Sequence, residues 1–591
     1  MRARLLKVFT VVGAITSGVL ALMLVMWTVT CATADTVPDK TVLELRLDQA
    51  VTESGIGSPL TDLLAGGGYP VREVVAALER GGADERVAGA IVYIDDVHWG
   101  MARAQEVRDA IVAFRGKGKF AVAFSESFGE LSAGNQGYYV ATGCDEIWLQ
   151  PTGGVGLNGL MTESYFLKDA LAKAGVGVEG GHRKEYKNAF NVYTERRFTE
   201  AHREAAQTLI DDFFGQLVRE VSAARGLSEP DVRALADAGP YLALEAETNG
   251  LVDGLAYRDE VIAKVKERAG EGASLLYAQH YLERAGGPWD EGERIAVITG
   301  VGAVTRGASS VDPLGGEENM GSDTITAAFR AAIADEEVKA IVFRIDTPGG
   351  SPIASDAIWR EVARAREANK PVIVSMGNVA ASGGYYVSAG ATKIVAQPAT
   401  ITGSIGVLGG KPITTEAWNK LGVTWDYVKT SRNADVFSHL NGYDGEGELL
   451  LQSWLDRVYA QFTGKVAEGR GLSADQVETI AKGRVWSGER ALQLGLVDAL
   501  GGLTTAIALA RSEAGIAEDA SVELRAYPEP RGWVETLFGG GGHNSDADAA
   551  AAVVVSPELA RWRAVAAHLR AVGLAADEPG LVMMPPLTVG R

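Results

Sequence analysis

Short apolar runs alternate with helix-spaced apolar stripes along most of this chain. Ile295 to Thr299, Ala340 to Ile345, Val372 to Ser375 and Lys393 to Ala396 are brief and largely apolar, and they read as buried strands. Between them Ile358, Val362 and Ala365 recur at helical spacing, and Leu451, Leu455, Val458, Phe462 and Val466 make a longer helical stripe. Such alternation implies parallel βαβ units, hence an α/β fold with helices outside the sheets. The glycine- and acid-rich segment Gly307 to Ser322 has no period and reads as a mobile loop. Beyond Pro528 the pattern stops. Gly539 to Gly542 and Asp546 to Ala552 read as a low-complexity linker, and Ser556-Pro557 opens one more helix, which Gly573 ends.

The pattern is used twice. Ala90-Ile91-Val92-Tyr93-Ile94-Asp95-Asp96 returns about 250 positions later as Ala340-Ile341-Val342-Phe343-Arg344-Ile345-Asp346. Gly137-Tyr138-Tyr139 returns as Gly384-Tyr385-Tyr386, and Thr152-Gly153-Gly154-Val155-Gly156 as Thr402-Gly403-Ser404-Ile405-Gly406. Arg225-Gly226-Leu227-Ser228 and Gly250-Leu251-Val252-Asp253 return as Arg470-Gly471-Leu472-Ser473 and Gly495-Leu496-Val497-Asp498. The matches are collinear and their offset drifts slowly, which is a tandem duplication. The Gly-Leu-Val-Asp motif reads as a helix-to-strand turn in both copies.

At the N-terminus Arg2, Arg4 and Lys7 precede an uncharged span, Val8 to Ala34. About 22 helical residues cross a ~30 Å hydrocarbon layer. The leading positive charge predicts a single-pass anchor with a cytoplasmic N-terminus and the remainder exported. A cleaved leader, ending at Ala32-Thr33-Ala34, is the rival reading. The domains expected are therefore an anchor over 1–34, a first repeat over 35–288, a second over 289–525, and a linker with a C-terminal helix over 526–591.

Composition narrows the chemistry. The chain has 591 residues, 76 acidic against 56 basic, which argues against a nucleic-acid partner. Its two cysteines, Cys31 and Cys144, form no CxxC or Cys/His cluster, so no metal and no cofactor is expected.

The stretch Asn378-Val379-Ala380-Ala381-Ser382-Gly383-Gly384-Tyr385-Tyr386 follows a strand-like run, Pro371 to Met376, and leads into a helix. At such a strand–loop–helix junction, free N–H groups and the helix dipole favour developing negative charge, and glycines let a ligand approach. Ser382 is thus a candidate nucleophile, although alone it reads more readily as a helix N-cap or a small packing residue. The copies differ where it matters. Opposite Ser382 the first copy has Asn135, and opposite Ser404 it has Gly154. The first copy carries Lys187 where the second has Arg432. Arginine holds its proton too tightly to act as a base, whereas a buried lysine can lose one. One copy offers a nucleophile without a base and the other a base without a nucleophile, so a single shared site satisfies both.

These segments, with Asp346-Thr347-Pro348-Gly349-Gly350-Ser351 and Gly483-Arg484-Val485-Trp486-Ser487-Gly488, resemble the signal peptide peptidase A (protease IV) family in its long tandem form. The resemblance covers roughly residues 40–525 and implies two ClpP/crotonase-like repeats, a Ser/Lys peptidase, and a bowl-shaped homo-oligomer, expected as a tetramer. Asp346-Thr347 departs from the family's commoner Asn-Ser. In the implied mechanism Ser382 attacks the scissile carbonyl and Lys187 is the general base. Ser404 aims the lysine, and backbone N–H groups of Gly383 and of Gly349 or Gly350 bind the oxyanion. An ordinary lysine is well under one part in a thousand neutral at pH 7, so burial has to lower its pKa.

The expected function is a serine endopeptidase on the periplasmic side of the inner (cytoplasmic) membrane, degrading cleaved signal peptides and other unfolded apolar segments. A crotonase-like acyl-CoA enzyme would want a carboxylate and a cytosolic chain, and an inactive scaffold would not keep Lys187, Ser382 and Ser404 together. Histidine is the competing base. None of the seven lies in a matching motif, with His182 and His439 nearest.

Overall fold

The computed structural model describes residues 36–48, 51–53, 69–95, 97–130, 132–311 and 318–528, and the backbone of two short strands, Val582–Met583 and Thr588–Val589. The expected anchor (1–34) and C-terminal helix (556–572) lie outside the described residues. No described helix is long and apolar enough to cross a membrane.

Strand–helix alternation produces two parallel sheets. In the first unit β1 (Thr41–Arg46), β2 (Val87–Tyr93), β3 (Phe120–Ser125) and β4 (Glu146–Leu149) are followed by β5 (Gly177–Arg183), which leaves the sheet, and by β6 (Gly254–Leu255) and β7 (Ser274–Tyr277). The sheet order is β6-β4-β3-β2-β1-β7, parallel throughout. Its helices include α1 (Val71–Ala83), α2 (Met101–Gly116), α3 (Asn135–Ala141) and the long α4 (Glu200–Arg225).

The second unit repeats the plan with β8 (Glu293–Val301), β9 (Val338–Thr347), β10 (Val372–Ala381), β11 (Lys393–Ala396), β12 (Ile401–Gly403), β13 (Val407–Ile413), β14 (Val485–Ser487), β15 (Ala499–Leu500) and β16 (Val522–Tyr527). Its main order is β14-β12-β10-β9-β8-β16, with β11 against β10 and β15 against β11. Only β14 runs antiparallel in this set. The associated helices include α5 (Pro352–Glu367), α6 (Gly383–Ser388), α7 (Gly445–Arg470) and α8 (Leu503–Glu513).

Strands buried on both faces read as near-continuous apolar runs, and β9 is one. The two faces of the second sheet serve different cores, because side chains alternate along a strand. Ile295 and Val297 of β8 join a core with Leu43, Val92 and Ile507, so the first unit, the second sheet and α8 share it. Ala296 and Ile298 join a separate core with Phe343, Tyr385 and Phe462. The units are also stitched by backbone: β5 of the first pairs antiparallel with β13 of the second, from Gly177 opposite Ile413 to Arg183 opposite Val407. Gly180 and Gly410 permit this, since a Cβ on either would collide with the facing strand's backbone.

Two local expectations fail. Gly307 to Ser322 is not simply a loop: Ser310–Val311 pairs antiparallel with Glu318–Gly321, which pairs in turn with Ala303–Thr305. These strands are held by backbone and by Ser309 and Thr324 hydroxyls, so they carry no apolar period to detect. No loop separates strand from helix at Ser382 either. β10 continues past Met376 to Ala381 and α6 starts at Gly383. Small residues there hide the strand, whose pairing with Ile401–Gly403 supplies the order.

Arg344 of β9 is 5% exposed and lies between the units. It donates to Glu53 at 2.6 and 3.0 Å, to Glu106 Oε2 at 2.7 Å and to Ser375 Oγ at 2.9 Å. Removing one member of a buried charge cluster leaves the others uncompensated, at a cost of about 3–5 kcal/mol. Arg344→Met is therefore expected to lower the urea midpoint of unfolding strongly. An unchanged midpoint would show that the cluster adds nothing to the joint between the units.

Candidate active site

Ser382 sits between β10 and α6 with φ 56° and ψ −113°. Positive φ is costly for a residue with a Cβ, and such strain persists only where the surroundings enforce it. Here the Ser382 N–H donates to Gly403 O at 2.8 Å, and its carbonyl accepts from Tyr386 N at 2.8 Å. The glycines after it let α6 press onto its neighbours. A Cβ on Gly384 would lie 2.7 Å from Thr347 Cγ2, and one on Gly383 would lie 2.7 Å from Ser355 Oγ and 3.0 Å from Gly350 N.

Lys187 reaches this point from the first unit, four residues beyond β5. It is fully buried, and its Nζ lies 2.6 Å from Ser382 Oγ, 3.0 Å from Ser404 Oγ and 3.0 Å from Ser404 O. Ser404 also has positive φ (52°), and its N–H donates to Arg484 O at 2.7 Å. Gly483 makes room for the lysine: a Cβ there would lie 2.6 Å from Lys187 N and Cβ. Burial pushes the Lys187 pKa well below the ordinary lysine value of 10.5.

The expected oxyanion glycines converge on the same spot but are not equivalent. Gly349 (φ 100°) already donates its N–H to Thr347 Oγ1 at 3.1 Å. Gly350 N lies beside Gly383, as the hypothetical Cβ distance shows. The strand Gly349–Gly350 pairs with Val304 on one side and antiparallel with Val582–Met583 on the other.

The first unit's equivalent position is occupied differently. Asn135, at the start of α3, donates to Asn158 Oδ1 at 3.1 Å and Gly159 O at 2.8 Å, tying loops together. Gly154 pairs with Leu242 in a two-stranded ribbon. Arg432, opposite Lys187 in sequence, is exposed and pairs with Glu446 at 3.0 Å. The Gly-Leu-Val-Asp motifs do the same structural work twice: Asp253 accepts from Ile147 N and Asp498 from Ile394 N, both at 2.8 Å, and each pairs with an arginine of the long helix.

The two histidines nearest the site in sequence, and the buried His202, have other neighbours. His182 Nδ1 lies 2.7 Å from Lys184 O and His439 Nδ1 lies 3.3 Å from Pro412 O. His202 is buried against Phe166 and Phe198, and burial pushes its pKa down to about 4. Sequence reasoning gave no role to the Gly483 contact or to Thr347's grip on Gly349. Gly483 had a signal in its motif, whereas the Thr347 contact depends on a turn that only the fold defines.

Each unit also matches one known family. Peptidase family S49 matches residues 126–271 and 364–517. The chloroplastic serine protease SPPA of Arabidopsis thaliana is 31% identical over 76% of this chain and 66% of its own length, just under two thirds. Protease 4 of Salmonella typhi is 33% identical over 74% of this chain and 71% of its own. Protease 4 of Haemophilus influenzae is 31% identical over 76% and 74%. The chain belongs to peptidase family S49 and is a serine peptidase of its tandem form.

A lysine whose pKa is lowered by burial has a thermodynamic signature. Between its lowered pKa and 10.5, the unfolded chain binds a proton at Lys187 that the folded chain refuses, so this residue's contribution to stability rises with pH across that window. In Lys187→Met the contribution vanishes. The melting temperature of the variant minus that of wild type is expected to be most positive near neutral pH and to shrink steadily towards pH 10. A difference independent of pH would mean that Lys187 is charged in the folded protein.

Proposed function

We propose that Ser382 is the nucleophile and Lys187 the general base of a membrane-anchored endopeptidase that degrades cleaved signal peptides and other unfolded apolar peptides. The observation that carries this reading is the 2.6 Å contact between a buried amine of one unit and a buried hydroxyl of the other. Neutral Lys187 takes the Ser382 proton as Oγ bonds to the scissile carbonyl carbon. It then passes that proton to the leaving amine as the peptide bond breaks, leaving an acyl-enzyme. Water, deprotonated by the same amine, hydrolyses the ester and returns the proton to Ser382. Ser404 directs the amine through its hydroxyl and carbonyl. The N–H groups of Gly383 and Gly350 bind the oxyanion, with Gly349 shaping the turn; one such donor is worth ~3–4 kcal/mol.

Substrate form follows from the edge beside the site. Gly349–Gly350 accepts Val582–Met583 as an antiparallel strand, which supports binding of unfolded, extended peptides there. Each unit reads as a ClpP/crotonase-like repeat on its parallel sheet, and the second adds the strand-to-helix serine junction. The uncharged span Val8 to Ala34 behind Arg2, Arg4 and Lys7 supports a single-pass inner-membrane anchor with the peptidase on the periplasmic side.

The duplication supports a homo-oligomer, read as a tetramer. Residues 424–428 of the second unit follow a Gly-Val pair, as β5 does in the first, but form no strand, and Trp425 and Val428 are exposed. The first unit's counterpart of β13 includes Thr162–Glu163, an edge that already accepts Thr588–Val589 as an antiparallel strand. Pairing of these two elements between copies would repeat the β5–β13 joint.

In detergent-solubilised full-length protein, Ser382→Ala and Lys187→Ala should each lose casein and signal-peptide cleavage by about a thousandfold or more. His182→Ala and His439→Ala should retain it. Wild-type activity should rise with pH as Lys187 deprotonates, because the neutral amine is the active form. Cleavage surviving in Lys187→Ala and lost in a histidine variant would replace the mechanism. By sedimentation, Trp425→Asp with Val428→Asp should reduce the particle to a smaller species; wild type running as a single chain would remove the oligomer.

A further inference from the structure

The strand that delivers Ser382 is irregular just before it arrives. β9 and β10 pair in register up to Ile345 opposite Met376, and the next pair is Thr347 opposite Ala380. Gly377, Asn378 and Val379 therefore face Asp346 alone, a bulge with two extra residues on the β10 side. A bulge leaves backbone groups without ladder partners, and in this one Asp346 and Thr400 take two of them while Arg103 of the other unit holds Asp346.

Asp346 Oδ1 accepts from Val379 N at 3.0 Å, and its Oδ2 accepts from Arg103 Nη2 at 3.0 Å. Arg103 belongs to the first turn of α2 in the other unit. Its guanidinium also donates to Trp99 O at 3.1 Å and Val51 O at 3.0 Å, and its own N–H donates to Asn378 Oδ1 at 3.0 Å. Asn378 Nδ2 completes the ring with Trp99 O at 2.6 Å. The approach is tight: a Cβ on Gly377 would sit 3.0 Å from the Asp346 side chain, and one on Gly100 would run into the Asn378 amide. Glu53 lies behind Arg103 at 3.5 Å and is held mainly by Arg344. Asp346, Arg103 and Asn378 are thus each held in place around the bulge.

The placement matters for chemistry. Val379 is three residues before Ser382, and Asp346 is three before Gly349 on the turn that leads to Gly350. One carboxylate therefore ties the nucleophile's strand to the strand that carries the oxyanion glycines, and one arginine ties that carboxylate to the unit that supplies Lys187. We propose that Arg103 and Asp346 are positioning residues, whose ion pair sets Ser382 against both Lys187 and the Gly349–Gly350 turn. Ladder hydrogen bonds to β9 fix β10 up to Met376 and again from Ala380. Between them Val379 pairs with Ile401 on the far side and Thr400 Oγ1 donates to Gly377 O at 2.8 Å, while the ion pair supplies the tie to β9 and to the first unit. The inference rests on Ser382 being the nucleophile.

The test reads the nucleophile directly, as the rate of covalent labelling of Ser382 by a small fluorophosphonate, alongside kcat and KM on a peptide. Full-length wild type, Arg103→Ala, Asp346→Ala, the double variant, Arg103→Lys, Asp346→Asn and Asp212→Ala are compared. Asp212 pairs with Arg490 across the units away from the bulge and controls for loss of an interunit ion pair. Labelling rate and kcat should fall between about tenfold and a hundredfold in both alanine variants with KM little changed, as expected for a misplaced reacting group. The double variant should be no worse than either single, because both remove one interaction. Asp346→Asn keeps the Val379 acceptor and should recover part of the rate, whereas Arg103→Lys loses the fork and should recover less. Asp212→Ala should label at the wild-type rate. Labelling within twofold of wild type in both alanine variants, or multiplicative losses in the double, would overturn the proposal. Failure of wild-type Ser382 to label at all would overturn the nucleophile assignment instead.

Discussion

An amine without a counter-charge, packed dry against a serine hydroxyl, is the contact on which the rest of this structure depends. Water would protonate Lys187, and a neighbouring carboxylate would hold it charged. The protein avoids both by closing the amine between two units and surrounding it with hydroxyls and a carbonyl. That closure dictates much of the local backbone. Gly483 has to lack a side chain for Lys187 to fit, Ser382 and Ser404 have to adopt positive φ, and β5 has to cross onto β13 to bring the lysine over. Each costs something locally, and each is enforced by hydrogen bonds that converge on the same few residues.

Duplication explains how such a site can be assembled. Two copies of one α/β unit keep their architectural groups, such as Asp253 and Asp498 at the helix-to-strand turns, because both sheets need them. At the chemical positions they have parted. The first unit has an amide at 135 and no side chain at 154, and the second has an arginine at 432 that lies in solvent beside Glu446. The charges between the units follow the same division of labour. Glu53, Arg103 and Glu106 come from the first, Arg344 and Asp346 from the second, and together they form a charged cluster in the joint beside the apolar core the units share.

The α/β plan was legible because apolar runs and stripes are local, and the internal repeat made each run count twice. The same comparison singled out Lys187, Ser382 and Ser404, and the fold brings both serine hydroxyls within 3.0 Å of the Lys187 amine. What stayed hidden depends on partners distant in sequence. The strand pair Ser310–Val311 and Glu318–Gly321 is held by backbone and two hydroxyls, and the end of β10, Gly377-Asn378-Val379-Ala380-Ala381, carries no clear apolar period. The Arg103–Asp346 pair spans 243 positions, and a lone arginine in an amphipathic helix gives no hint of its partner. Thr347's hold on Gly349, which leaves Gly350 facing Gly383, likewise follows only from the folded turn.

The ionisation of Lys187 is the quantity to measure. In protein carrying ¹³C-labelled lysine Cε, NMR titration of wild type against Lys187→Met isolates its resonance. A signal that stays in the neutral form down to pH values well below 10.5, while the surface lysines titrate near their usual value, is the expected result. A Lys187 signal titrating with the surface lysines would mean that the amine is hydrated and charged, and the shared Ser/Lys site would be wrong.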